Sequence, residues 1–109
     1  MAAEPIVMLA AGGVLTELYK DSSMRLAPVT IDSAYEMIAE VKGLKALDGF
    51  RGKQKGDLKA IAETVVAFSQ LALSEEYYIE EAEMNPLIVN PQGQGVTAVD
   101  ALVHIAKEG

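Results

Sequence analysis

The 109-residue chain contains no cysteine, no tryptophan and only one histidine. Without thiols, disulfides, thiolate metal centres and cysteine nucleophiles are excluded, and a cytoplasmic location is the expectation. Positive charge is also scarce: 9 Lys and Arg against 16 Asp and Glu give a formal net charge of -7. Nucleic-acid surfaces need clustered cations to meet phosphates, so no nucleic acid is expected as a partner, whereas a bound divalent cation would offset part of the charge.

Long apolar runs are missing as well. The run "IVMLAAGGVL" is preceded by Glu4 and Pro5, has no Lys or Arg before Lys20, and is short and glycine-broken. It fits neither a secretion signal nor a membrane span and reads as a strand covered on both faces. What remains is an ordinary globular balance, 50% hydrophobic and 23% charged, with no low-complexity tract. The expectation is one domain over 1–109, at a size where part of a larger protein is equally plausible, and the strand that starts almost at residue 1 hints at a fragment.

Gly12-Gly13 supplies a turn after the first strand, and "VLTELYKD" (14–21) alternates as a second strand with Leu15, Glu17 and Tyr19 on one face. "MRLAPV" continues as a short extended piece closed by Pro28. Thr30 is the expected N-cap of a helix with Asp32 in its first turn, an apolar stripe of Ile31, Ala34, Tyr35, Ile38 and Val41, and Gly43 as C-cap. "LKALDGFRGKQKGD" reads as a loop. A second helix is predicted from about Asp57 to Leu73, with Leu58, Ile61, Ala62, Val65, Phe68 and Leu71 facing inward. Two closing strands, about Tyr78 to Asn90 and Gly95 to Ile105, flank "PQGQ". The predicted fold class is α+β: two layers, a mostly antiparallel sheet with two helices on one face.

If 91–94 form a four-residue loop, antiparallel register pairs positions whose numbers sum to 185, so Val89 faces Val96, Leu87 faces Ala98 and Asn85 faces Asp100. Opposed Cβ atoms lie about 4.5–5.5 Å apart, close enough for the Asn85 carbonyl and the Asp100 carboxylate to share one cation. Glu83 and Glu81 follow on the same face. Hard oxygen donors suit Mg²⁺, which takes one or two carboxylates and completes its shell with water and phosphates. The plain alternative is a hairpin whose polar face meets solvent.

Together, "GGVLTELYKDSSMRLAPV", "LDGFRGKQKGD", "EMNPLIV" and "AVDA" resemble the second lobe of the ATP-grasp domain of NDP-forming acyl-CoA synthetases, the acetate-CoA ligase relatives of succinyl-CoA synthetase. The likeness runs from about Pro5 to Val103, with the motifs in the family's order. It implies a reversible ligase reaction in which acyl-CoA, ADP and phosphate give the free acid, CoA and ATP through a travelling phosphohistidine. It implies Mg²⁺ with ATP or ADP as cofactors, and CoA in the full-length protein. On this resemblance Asn85 and Asp100 are the metal ligands, and Glu83 lies near the visiting phosphohistidine. Gly12, Gly13 and Glu17, matching "GGxxxE", and Arg51, matching "RG", are nucleotide or phosphate contacts; the plain alternatives are an ordinary tight turn, an exposed strand charge and a loop-anchoring Arg. Arg25, in "RLAP", is either a phosphate contact or a surface anchor.

His104 lies after the family's last motif and is not the phosphorylated histidine. Ala10-Ala11 stand where relatives carry a longer glycine run. No first ATP-grasp lobe, CoA-binding domain or phosphohistidine segment is present, so the implied partners are those missing parts, and the chain alone is expected to be inert. A homo-oligomer through an exposed apolar surface is also open. Two rivals stand beside this reading: a stand-alone α+β regulatory or oligomerisation module, and the non-catalytic synthetase-like region of a protein acetyltransferase.

Overall fold

The computed structural model describes residues 5–11, 21–49, 55–75, 79–84 and 86–105. Strand β1 (Ile6–Ala10) pairs antiparallel with β2 (Ser22–Leu26), Val7 opposite Arg25 and Met8 opposite Met24. Alternation buries Val7 and Ser23 beneath the helices. The other face is open: Ile6 is 63% and Leu26 55% exposed. The continuous apolar run therefore did not mean cover on both faces, because both helices pack from the same side.

Helix α1 (Ile31–Glu40) starts where expected, the Thr30 hydroxyl accepting the Ser33 amide at 3.1 Å and Asp32 favouring the positive helix end. Its buried face is Ala34, Met37, Ile38 and Val41, whereas Ile31 and Tyr35 of the predicted stripe are exposed. Spacings of three and four residues admit either face, and Met37, fully buried, fills the core with the larger flexible side chain. The helix ends on Val41 in extended conformation, not on Gly43. Gly43 belongs to a 3-10 helix, Lys42–Leu47, which occupies the first part of the expected loop. The Asp21 carboxylate accepts the Lys42 and Gly43 amides at 2.6 and 2.7 Å, so the free amides at that helix's start outcompete a glycine cap.

Helix α2 (Leu58–Leu71) is capped by Asp57, which accepts the Ala60 amide at 3.0 Å. Ile61, Ala62 and Val65 join Val7, Val29 and the α1 residues in one core. Leu71 is exposed, and the buried position near that end belongs to Ser69. Its hydroxyl accepts the Val29 amide at 2.9 Å and donates to the Val66 carbonyl at 2.7 Å, which satisfies a polar group inside the core.

The closing segment forms four short strands, β3 (Ile79–Met84), β4 (Leu87–Val89), β5 (Val96–Ala98) and β6 (Ala101–Ile105). Ladders β4–β5 and β3–β6 are both antiparallel. Val89 and Val96 pack on the core, while every residue of β6 is exposed. The fold is the expected α+β class, with antiparallel ladders and a helical layer. No helix among the described residues is long and apolar enough to cross a membrane. The predicted strand over 14–21 lies outside the described residues except for Asp21, and Tyr77 and Tyr78 lie outside them as well.

Candidate metal and nucleotide site

The hairpin register follows from the turn. Gly93 and Gly95 hold φ of 87° and 78°, backbone that L side chains rarely adopt, and the loop between them closes with Leu87 opposite Ala98 and Val89 opposite Val96. The same sum of 185 continues beyond the break: Met84 faces Ala101, Glu83 faces Leu102 and Glu81 faces His104. The expected long strands are thus in register but interrupted at 86 and at 99–100. Pro86 has no N–H to donate, and its carbonyl accepts the Val99 amide at 3.0 Å.

Asp100 sits in this interruption, exposed, one carboxylate oxygen accepting the Ala101 amide at 2.9 Å. Around it the sum of 185 runs from Val89–Val96 to Glu81–His104, and the register shifts only further out, between Glu81 and Ile79. Asn85 lies outside the described residues, as do Gly12, Gly13, Glu17 and Arg51. Glu83, exposed on β3, lines a groove of about 540 Å³ together with the residues of β1 and Ile61 and Phe68 of α2. Ala11, which precedes Gly12, lines the same groove.

A model of the ATP-grasp domain family matches residues 4–105. The chain belongs to the ATP-grasp family. Among curated relatives of this ATP-grasp chain is the ADP-forming 4-hydroxybutyrate–CoA ligase of Nitrosopumilus maritimus, 38% identical over 101 residues, which are 93% of this chain and 14% of that protein. Another is the beta subunit of the ADP-forming acetate–CoA ligase II of Pyrococcus furiosus, 35% identical over 97 residues, 89% of this chain and 41% of that subunit. A solved acetyl-coenzyme A synthetase of Ca. Korarchaeum cryptofilum superposes with a TM-score of 0.82 at 38% identity, covering 94% of this chain and 46% of the other. That structure holds coenzyme A and Mg-AMPPCP, its phosphohistidine segment pointing towards the nucleotide binding site. The chain spans less than half the length of each of these proteins.

Within the ATP-grasp chain, Arg25 joins β2 to α1. Its guanidinium grips both carboxylate oxygens of Glu40 at 3.0 and 2.6 Å and also meets the Ser23 hydroxyl, clasping β2 to α1. Hydrogen bonds from Arg25, then from Ser23, lower the Glu40 carboxyl to about 2, and the pairing raises the Arg25 guanidinium in return. His104 stands exposed on β6 opposite Glu81.

No three His, Asp or Glu residues among those described gather into a metal cluster. That donor count still fits Mg²⁺, which needs few protein ligands when phosphates and water complete its octahedron, and Asp100 has no ion-pair partner among the described residues. The residue that sequence reading placed only at a helix start is Asp57. Beyond capping α2, its second oxygen accepts the amides of Gly95 at 2.8 Å and Gly93 at 3.1 Å. The signal was present as an acidic N-cap and a glycine-rich turn, but nothing local tied the two together.

Proposed function

We propose that this single domain is the nucleotide- and Mg²⁺-binding lobe of an ADP-forming acyl-CoA synthetase, one part of a longer cytoplasmic protein. The reaction interconverts acyl-CoA, ADP and phosphate with the free acid, CoA and ATP through a phosphohistidine. The remaining ATP-grasp lobe and the CoA-binding domains are its partners. The observation that carries this reading is the groove lined by both Glu83 and the end of β1, just before Gly12, in a chain whose relatives are named as ADP-forming ligases.

Asn85 and Asp100 hold Mg²⁺ through hard oxygen atoms, beside the nucleotide phosphates. The bound ion supplies neutralisation of the charge spread over the phosphoryl oxygens. Glu83 accepts the N–H of an incoming imidazole and so aims the other ring nitrogen at the phosphate. Gly12 and Gly13 let backbone amides come close to phosphate oxygens, while Glu17 and Arg51 complete the polar lining. With half the clamp and the phosphohistidine supplied by other domains, the 109-residue chain alone is inert.

Calorimetric titration of Mg²⁺ and ADP into the full-length protein tests this reading. Asn85→Ala combined with Asp100→Ala should abolish the Mg²⁺-dependent part of ADP binding; undiminished binding would overturn the metal assignment. Acyl-CoA synthetase turnover by the isolated 109 residues would contradict the division of labour.

A further inference from the structure

The hairpin that carries Glu83 and Asp100 meets the helical body chiefly through its turn. Val89 and Val96 pack on the core at that end, and the far end, β3–β6, is largely exposed. Backbone contacts add to this attachment: the Asp57 amide donates to the Asn90 carbonyl at 2.9 Å, and the Gln92 amide to the Lys55 carbonyl at 2.8 Å. At the centre is the Asp57 carboxylate, 7% exposed, which divides its oxygens between two elements. One accepts the Ala60 amide of α2, and the other accepts the Gly93 and Gly95 amides of the turn.

A two-stranded ribbon has little to fix its register except its turn, because sliding by one residue exchanges the faces of every side chain beyond it. Both glycines held by Asp57 have positive φ, so the carboxylate selects the turn conformation that sets the sum of 185. Asp100 lies only five residues past Gly95 along that register. Resting on the function proposed above, we infer that Asp57 is a positioning residue of the Mg²⁺ site, holding the register that puts Asp100 and Glu83 on their working face. It touches neither metal nor substrate and acts through the turn.

Asp57→Ser separates this role from helix capping, since Ser caps a helix about as well as Asp but offers one short oxygen in place of two. In the full-length protein, Mg²⁺ affinity measured calorimetrically with ADP present should fall about tenfold in Asp57→Ser, the lower end of what loss of an outer-shell support costs a metal site. Asp57→Asn, which keeps one planar acceptor, should recover part of that loss. Gln92→Ala, which keeps every turn amide, should bind as the parent does. Affinity within about twofold of the parent in Asp57→Ser, a difference too small for the loss of such a support, overturns the inference. If Asp100→Ala also binds normally, the metal assignment itself fails, so the two failures are distinguishable.

Should Asp57→Ser not fold, linkage supplies the same test in the parent protein. Coupling is reciprocal, so Mg²⁺ with ADP should slow hydrogen exchange of the 91–99 segment severalfold, and unchanged exchange overturns the inference.

Discussion

The Asp57 carboxylate and the Gly95 amide meet at 2.8 Å, joining the first turn of α2 to the turn of the closing hairpin. This bond, together with those from Ala60 and Gly93, holds the Asp57 carboxyl below the ordinary carboxylate range against the opposing cost of burial. The unfolded chain therefore binds this proton more readily than the folded one. Stability from Asp57 is complete above its unfolded pKa and is lost as pH falls through the lower folded value. Urea-unfolding midpoints should drop as pH falls below about 4, and in Asp57→Asn that part of the drop should be absent.

Ser69 makes a second prediction, in the core. Its hydroxyl is the partner of the Val29 amide at the chain's entry to α1, and both groups are buried. Ser69→Ala keeps the volume nearly constant but leaves that N–H without an acceptor, which costs about 1–3 kcal/mol. Thermal and urea unfolding should both report the loss. A change within about 0.5 kcal/mol, the usual range of a surface substitution, would mean that the amide finds another acceptor.

Local rules were legible where the responsible atoms are near in sequence. Thr30 was readable as an N-cap because a cap bonds an amide three residues on, and Asp57 was readable as the start of a helix. The hairpin register was readable because loop length determines pairing, and Leu87 does face Ala98. Long-range partners left no such mark. The 3-10 helix at Lys42–Leu47 depends on Asp21, and the choice of Met37 over Tyr35 for the core depends on which side α2 packs. For the site, Glu83 in the groove and Asp100 in an unslipped register follow from alternation along the hairpin, whereas the Asp57 latch spans 36 to 38 residues and had to be seen.

Gly43 makes a third prediction through close approach. A Cβ built there would lie 2.6 Å from the Ala11 Cβ and 2.9 Å from Asp21 Oδ2. Neither neighbour can yield cheaply: Ala11 is held to the Asp21 carbonyl by its own amide at 3.2 Å, and the Asp21 carboxylate is held by two amides. Gly43→Ala should therefore lower the melting temperature by several degrees, as overpacking at a cost of about 1–3 kcal/mol does. Because Ala11 leads directly to Gly12, Gly43→Ala should also weaken ADP binding in the full-length protein.

Arg25 distinguishes a clasp from a phosphate contact. Its guanidinium is already committed to Glu40 and Ser23, so Arg25→Gln should leave the affinity for ADP with Mg²⁺ unchanged in the full-length protein. The pair lies at the surface, where water and salt weaken its contribution, so Arg25→Gln and Glu40→Gln should each lower the melting temperature slightly and less in high salt. Acid should reveal the same clasp. Glu40 titrates at about 2 when folded, so the clasp's contribution is present above the ordinary carboxylate value and disappears as pH falls towards that figure. Measured at neutral pH, a loss of ADP affinity of about tenfold or more in Arg25→Gln, with Glu40→Gln unaffected, would assign Arg25 to the phosphates instead, since a charge-assisted contact is worth roughly that much.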